Sequence, residues 1–320
     1  MRNENCIFEI CALLRLLTIK GEILRLKYKR PIDANSADMK KYITDFKVVS
    51  NETLNSRLFL LRLTPADGSA VAECRPGQFA ELRVDGEPKV FLRRPISIHR
   101  IDCEKNELWL LIQKAGNGTN HLSELRAGEL LNIVYPLGNG FSAVESAQAG
   151  QKPRVLLVGG GVGVAPLLET GHVFKSQGME VTYLLGARCC TDLVSVAQYQ
   201  EAGQVYVTTE DGSVVAGLEG CDAEGNAYCQ KGFATQHTIL REGAFDAIRV
   251  CGPGPMMKAV AKLVSSWKQN EEPRFCEVSL ENKMACGLGV CLCCVEDTKE
   301  GHKCVCSEGP VFDVKELKWS

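Results

Sequence analysis

The amino-acid sequence predicts a multidomain β + α/β fold in three parts: a small antiparallel barrel or sandwich, a parallel sheet with crossover helices, and a small cysteine-rich C-terminal subdomain. Three observations predict it. Residues 42–149 carry short apolar runs separated by turn residues, without a sustained helical period. From about Lys152, fully apolar runs alternate with amphipathic ones long enough to be helices, the pattern of a parallel sheet. Between residues 286 and 306 the chain reads Cys286-Gly-Leu-Gly-Val-Cys291-Leu-Cys-Cys294, then eleven residues, then Cys306.

Composition sets the outer limits. At 320 residues the chain can build two cores and an appendage. A net charge of −2 with no basic stripe argues against nucleic acid, and no run of eighteen apolar residues is present to span a membrane. A cytoplasmic location is expected. The expected divisions are an N-terminal extension at 1–38, the barrel at 39–150, the α/β domain at 151–270 and the cysteine subdomain at 271–320.

In order along the chain, Cys6 to Leu26 is apolar but interrupted by Glu9, Arg15, Lys20, Glu22 and Arg25, and lacks a small-residue cleavage site. It reads as an amphipathic helix or as a segment with no function of its own. Because Met39-Lys-Lys stands directly before the first strand pattern, Met39 is expected to be the biological start. Barrel strands are expected at Phe46–Val49, Leu58–Leu63, Gln78–Val84, Val90–Ile98, Glu107–Gln113 and Leu130–Val134, with a short helix from His121 to Leu125 capped by Thr119. In the α/β part, strands are expected at Arg154–Val158, Glu180–Leu185, Gln204–Thr208 and Ala247–Cys251. Helices are expected at Leu167–Ser176, Phe233–Arg241 and Met256–Trp267. Gly212 to Gly232 reads as a long surface loop, with residues 214–230 as an insertion.

Three places carry chemistry. The turn Gly159-Gly-Gly-Val-Gly-Val-Ala-Pro166 lies between a strand and a helix, which aims a helix N-terminus at a phosphate. It is not the G-x-G-x-x-G fingerprint, and the second strand ends in Arg188 rather than in a ribose-binding acid, so a simple tight turn is its rival reading. A second special turn, Cys251-Gly-Pro-Gly-Pro-Met256, falls at another strand end of the same sheet, where open α/β sheets bind ligands. In the β part, an arginine of Arg93-Arg-Pro-Ile-Ser97 for a pyrophosphate, the serine hydroxyl for a ring nitrogen and the turn Gly116-Asn-Gly118-Thr119 would together hold a dinucleotide flavin. Arginines on a solvated face and a Thr119 that is merely a cap are the bland alternatives.

The cysteines have the most specific spacing. Cys286, Cys291 and Cys294 fall at C-x4-C-x2-C, which is tied to plant-type [2Fe–2S] clusters, and Cys306 supplies a fourth thiolate. Gly287 and Gly289 suit a loop that must turn sharply with its N–H groups facing sulfur. Structural zinc usually takes two short knuckles and only one is present. A disulfide framework is the other rival among sixteen cysteines, in a chain too long to need one. Choosing Cys293 would break the spacing, so Cys294 is the expected ligand.

The order of these parts resembles the ferredoxin–NADP reductase superfamily, and within it the electron-transfer subunits of type B dihydroorotate dehydrogenases, from about Met39 to Val314. The resemblance rests on Leu92-Arg-Arg-Pro-Ile-Ser-Ile98, Pro136-Leu-Gly-Asn-Gly-Phe141, Gly159–Pro166, Asp211-Gly-Ser213, Lys231-Gly-Phe233, Cys251-Gly-Pro253, Met284-Ala-Cys-Gly-Leu-Gly-Val-Cys291 and Gly309-Pro-Val-Phe312. It implies an FAD-binding β-barrel in which Arg94 meets the pyrophosphate, Pro95 fixes the strand and Ser97 approaches flavin N5. Leu111, Ile112 and Gln113 would line the ring, and Gly118 and Thr119 would close on the phosphates. Ile96 stands where many relatives carry an aromatic residue. It implies further that Gly159, Gly160, Gly161, Val162 and Gly163 cradle NAD(H), with Asp211 and Ser213 at its ribose or ring and Cys251 near its C4. A buried structural thiol is the rival for Cys251, and NAD is expected rather than NADP because Arg188 alone does not make a 2′-phosphate site.

The resemblance also implies a relay for pyrimidine biosynthesis. Electrons from dihydroorotate would pass through FMN in a catalytic partner subunit, then singly through the [2Fe–2S] cluster to FAD, and leave as hydride to NAD+. The expected assembly is a heterotetramer with two of each subunit. Rival functions are the reductase subunit of a sulfhydrogenase or ferredoxin transhydrogenase, a one-chain reductase, and a zinc or redox-sensing interaction module.

Overall fold

A computed structural model describes residues 40–144, 150–267 and 275–319. The extension at 1–38 and the start at Met39 lie outside the described residues.

The first sheet is antiparallel and holds β1 (Tyr42–Thr53), β2 (Leu58–Pro65), β3 (Phe79–Leu82), β4 (Arg94–Ser97), β5 (Arg100–Asp102), β6 (Glu107–Gln113) and β7 (Leu130–Leu137), in the order β4-β3-β7-β1-β2-β6-β5. Its edge strands β4 and β5 are separated in sequence only by Ile98 and His99, so the sheet must curl until its edges meet. Ile98 N donates to Gln78 O at one edge and His99 N to Trp109 O at the other, both at 3.0 Å. Inside lie Phe46, Phe59, Leu61, Leu108, Ile133 and Tyr135, from strands whose apolar residues point alternately inward. Pro95 is accommodated because β4 is an edge strand.

Two local expectations are corrected here. The strand expected over Val90–Ile98 is only Arg94–Ser97, because Glu87 bends the preceding segment by accepting from Val90 N through its carbonyl and from Lys89 N through its carboxylate. The short helix runs over Asn117–Leu122 (α1) rather than His121–Leu125, with Gly116 at its N-cap. Thr119 sits one turn inside and reaches back, its Oγ1 accepting from Ala115 N at 2.8 Å.

The second sheet contains β8 (Arg154–Gly160), β9 (Glu180–Ala187), β10 (Gln204–Thr209), β11 (Cys229–Lys231), β12 (Ala247–Cys251) and β13 (Cys276–Ser279), all parallel. The hairpin β14 (Val295–Thr298) and β15 (Gly301–Cys304) precedes β16 (Val311–Asp313), which joins the sheet antiparallel to β13. The order β11-β10-β9-β8-β12-β13-β16 reverses direction between β8 and β12, and this switch point opens a crevice at the carboxyl ends of the two strands. Its helices are α2 (Ala165–Ser176), α3 (Val196–Ala202) and α4 (Gly254–Ser265).

The helix expected over Phe233–Arg241 is a single 3₁₀ turn, Ala234–Gln236. Side chains satisfy the backbone there instead: Gln236 Oε1 accepts from Phe233 N at 2.8 Å and His237 Nδ1 accepts from Ile239 N at 3.2 Å, the competition that keeps such segments out of helices. The stretch read as one long loop ends in a strand, β11, that extends the sheet beside β10.

Polar contacts join these parts. Arg249 on β12 and Glu277 on β13 form an almost completely buried ion pair at 3.0 Å, and Glu277 also accepts from Ser142 N at 2.9 Å and Ser142 Oγ at 2.7 Å. The chain leaving the barrel is thereby held to β12 and β13 of the second sheet. The cysteine segment is tied to the barrel by Asn139, whose N–H donates to Gly309 O at 2.6 Å and whose Nδ2 donates to Glu308 O at 2.9 Å.

Glu81, on β3 beside Pro95, is buried with neither carboxylate oxygen hydrogen-bonded, and a β-carbon on Gly287 would lie 2.8 Å from its Cγ. Burial pushes its pKa up to about 7, against the pull of Arg93 and with help from Cys286. A carboxyl held above its ordinary value favours the protonated fold, so stability falls as pH rises from about 4.5 through about 7. The full shift corresponds to about 3 kcal/mol. Glu81→Gln should remove that slope: its thermal midpoint relative to the unsubstituted protein should be higher at pH 8 than at pH 5. Parallel pH profiles would show that Glu81 does not titrate in the fold. Separately, Arg249→Met should cost about 3–5 kcal/mol in denaturant unfolding, because it strands the Glu277 charge, and Arg249→Met with Glu277→Leu should recover part of that loss.

Candidate functional site

The crevice at the switch point is a cavity of ≈ 560 Å³. Gly160, Gly161, Val162 and Gly163 form one wall and Gly252 and Pro253 the facing one. The two turns are in backbone contact: a β-carbon on Gly163 would overlap the Cα and N of Gly252. Gly159 lies just behind, where a β-carbon would meet Val164 and Leu167. The turn that leads into α2 thus brings three glycines, bare of side chains, to the cavity wall, which suits a phosphate. From the barrel, Arg57 and Gln113 reach the same cavity.

The remaining residues expected at the nicotinamide lie elsewhere. Asp211 and Ser213 do not line the cavity. Asp211 Oδ1 accepts from Ser213 N at 2.9 Å and Ser213 Oγ at 2.6 Å, which lowers the Asp211 pKa, and Ser213 Oγ accepts from Cys190 N at 2.7 Å. They brace the loop after β9. Cys251 is completely buried, and burial holds its thiol well above the ordinary range. Between it and the cavity is Glu281, which lines the space and lies 3.9 Å from Cys251 Sγ. Glu281 and Glu210, which also lines the cavity, were missed in the sequence reading. Each is an acid within two residues of the carboxyl end of a strand, β10 for Glu210 and β13 for Glu281.

At the barrel edge, Arg94, Pro95, Ile96 and Ser97 are all partly exposed. The neighbouring Arg93 is committed to the fold, donating from Nη1 to Glu81 O at 3.2 Å and Asn132 O at 3.0 Å. Arg94 instead lies over α1, where a β-carbon on Gly118 would come within 2.5 Å of its Nε. That brings together the arginine and the glycine turn expected at a flavin pyrophosphate. Thr119 contributes its backbone, its hydroxyl being occupied by the turn. Leu111 and Ile112 are buried in β6, and Gln113 at the end of that strand opens into the nicotinamide cavity.

The four cysteines fall into two pairs. Cys286 and Cys291 are in side-chain hydrogen-bond contact, as are Cys294 and Cys306. Backbone donors face three of the sulfurs: Leu288 N to Cys286 at 3.4 Å, Gly289 N to Cys306 at 3.1 Å and Cys306 N to Cys294 at 3.3 Å. Burial raises the Cys286 pKa, but the N–H groups of Leu288, Cys291 and Val290 outweigh it and draw the thiol down to about 6. Gly287 and Gly289 take φ of 65° and 81°, in the left-handed region the loop requires. Cys293 is exposed, and Cys304 Sγ turns to Gly289 O at 3.9 Å. Among the described residues no three His, Cys, Asp or Glu side chains gather round one ion. Two pairs of thiols match a two-iron cluster, in which each iron takes two. Leu288, Val290 and Leu292 form an exposed apolar rim beside Cys291.

Comparison with known proteins agrees with both halves of this site. Residues 281–318 match the iron–sulfur cluster binding domain of dihydroorotate dehydrogenase B, and residues 157–262 the oxidoreductase NAD-binding domain. The dihydroorotate dehydrogenase B (NAD(+)) electron transfer subunit of Geobacillus sp. (strain WCH70) is 35% identical over 274 residues, 84% of this chain and 96% of the relative. That of Caldanaerobacter subterraneus subsp. tengcongensis is 39% identical over 246 residues, 76% and 86% of the two chains. Among solved structures, an NADH-dependent reduced ferredoxin–NADP oxidoreductase studied for flavin-based electron bifurcation superposes with a TM-score of 0.69 at 28% identity, covering 86% of this chain and 90% of that one. With the cleft, the flavin strand and the paired thiols in one chain and these relatives matched over most of its length, the chain belongs to the family of dihydroorotate dehydrogenase B (NAD(+)) electron transfer subunits.

Proposed function

We propose that this chain carries electrons between the FMN of a dihydroorotate-oxidising catalytic subunit and NAD+, with FAD and a [2Fe–2S] cluster as its own cofactors. The observation that carries this reading is the continuity of the three sites. The nicotinamide cavity meets the flavin barrel at Gln113, and the flavin strand meets the cysteine loop where Glu81, paired with Pro95, packs on Gly287. FAD, when bound, exchanges hydride with nicotinamide and single electrons with the cluster.

The chain's own residues do the holding. Arg94 would neutralise the flavin pyrophosphate beside Gly118, and Ser97 would present its hydroxyl to the ring. Gly160 to Gly163 would accept the nicotinamide dinucleotide along bare backbone at the start of α2. Cys286, Cys291, Cys294 and Cys306 would ligate the cluster, and backbone N–H groups already face three of those sulfurs. The rim of Leu288, Val290 and Leu292 would be covered by the catalytic subunit, in a heterotetramer of two of each chain. The division into barrel (39–150), nicotinamide domain (151–270) and cluster subdomain (271–320) belongs to the same proposal; the barrel's own sheet supports the first boundary, whereas β13 and β16 of the last segment complete the nicotinamide sheet and only the hairpin β14–β15 stands apart. We assign the assembly to the cytoplasm; none of the fourteen described cysteines is in a disulfide, as in a reducing compartment. Among the described residues no helix is long and apolar enough to cross a membrane.

Anaerobic purification followed by iron, sulfide and flavin analysis, with a visible spectrum before and after NADH, tests the reading. Iron and sulfide in equal amounts, with FAD bleached by NADH, are expected; zinc without flavin would replace the relay with an interaction module. Cys291→Ser or Cys294→Ser should abolish orotate-coupled NAD+ reduction while sparing NADH-to-dye activity, whereas Cys293→Ser should spare both. Equal loss of both activities in the ligand variants would contradict the order of the relay. Gly163→Ala should slow NADH oxidation on the order of 10²-fold through displacement of the turn, with flavin and iron content unchanged.

A further inference from the structure

One buried side chain outside the sites above joins the flavin strand to the nicotinamide turn. His99, two residues after Ser97, is completely buried. Its backbone N–H closes the barrel on Trp109 O. Its ring and its carbonyl both leave the barrel and enter the first turn of α2. His99 Nδ1 lies 2.8 Å from Ala165 O, and His99 O accepts from Glu169 N at 3.1 Å. Ala165 and Glu169 are an i, i+4 pair at the opening of the helix, so one residue of the barrel bonds to the carbonyl of one and the N–H of the other. The helix returns the contact: Glu169 Oε2 accepts from Ile101 N at 3.1 Å.

The chemistry of this joint is determined. A carbonyl oxygen only accepts, so His99 Nδ1 carries the proton. Burial pushes the imidazole down to about 4, against the pull of Ala165 O and with a further push from Arg100, so the ring is neutral at physiological pH. The adjacent carbonyl of Val164 is held too, by the buried Tyr199 hydroxyl at 3.0 Å, and the His99 and Tyr199 rings meet edge to face at 6.4 Å. Both residues through which the glycine turn enters α2 are therefore fixed by buried donors, one from the barrel and one from α3. Such enclosure lets little slack pass between Ser97 and Gly163.

We propose that His99 is a positioning residue for hydride transfer, setting the separation of the flavin strand and the nicotinamide-binding turn through its ring contact with Ala165 and its carbonyl contact with Glu169. The inference rests on the proposed function. In the transfer it serves, NADH loses two electrons and one proton as hydride, becoming NAD+, and the flavin gains them and takes a further proton from solvent. A misplacement of the turn of about an ångström can cost such a step on the order of 10²-fold, while leaving each cofactor bound.

The test compares His99→Asn, His99→Gln and His99→Leu with the unsubstituted protein, all loaded with FAD. Asparagine can return an N–H to the place of Nδ1, glutamine places its amide one carbon further out, and leucine has no donor. Stopped-flow bleaching by NADH, its isotope effect with C4-deuterated NADH, and the long-wavelength charge-transfer absorbance of NAD+ on reduced flavin are measured beside flavin content and NADH affinity. With flavin content and NADH affinity unchanged, His99→Leu should bleach at least about tenfold more slowly and lose charge-transfer absorbance. His99→Asn should recover most of both, and His99→Gln less. Equal rates and equal absorbance for the Asn and Gln variants would overturn the proposal, even if the Leu variant does not fold. Unsubstituted protein whose flavin NADH cannot bleach would overturn the functional reading, and this inference with it.

Discussion

The contact of Gly163 with Gly252 is the constraint on which the nicotinamide site depends. These residues belong to turns that follow neighbouring parallel strands, β8 and β12, on either side of the point where the strand order reverses. Since any β-carbon on Gly163 would overlap the facing backbone, the two turns close to main-chain distance and glycine backbone forms much of the crevice wall on both sides. N–H groups that no side chain covers are what a dinucleotide phosphate needs. A substituent there would move the helix as well as narrow the cavity, because α2 begins immediately afterwards.

The same economy of side chains recurs where the parts of the molecule meet. Gly118 lets Arg94 lie against the short helix of the barrel, and Gly287 lets the cysteine loop settle on Glu81. Around these close approaches the contacts are polar and buried. Arg249, Glu277 and Ser142 hold the exit of the barrel to the second sheet, Asn139 holds its last strand to the segment before Pro310, and His99 holds its closing edge to α2. Buried polar groups are costly unless paired, so these contacts select one relative placement of the barrel, the sheet and the cysteine loop. Electron and hydride transfer between groups held by different parts of a chain requires such a placement.

Two carboxyl groups, Glu81 and Glu281, lie at these seams. Glu81 is under the cysteine loop and beside the flavin strand; Glu281 is at the end of β13, between the nicotinamide cavity and Cys251. Desolvation raises the pKa of each.

Much of the molecule was legible in the sequence because it is encoded by local pattern. Strand alternation, the glycine turn before an amphipathic helix, and the x4 and x2 gaps between cysteines are short-range features whose meaning comes from backbone geometry and ligand chemistry. They led to the barrel, the parallel sheet, the family and the four paired thiols. Local pattern failed where side chains competed with the backbone, as at Gln236 and His237, where a helical run became a single turn. Nor does it reach neighbours that are remote in sequence. Cys251 lies in a motif at the cavity edge, yet its thiol points into the core and Glu281, thirty residues later, faces the space. Asp211 and Ser213 bond each other and Cys190 rather than the cavity. Spacing and residue type by themselves determined the fold class and the cofactor chemistry, since both depend on groups close along the chain. Only the tertiary structure decided which side chains face the cleft and how its parts are locked together, since those follow from contacts between strands and helices far apart in sequence.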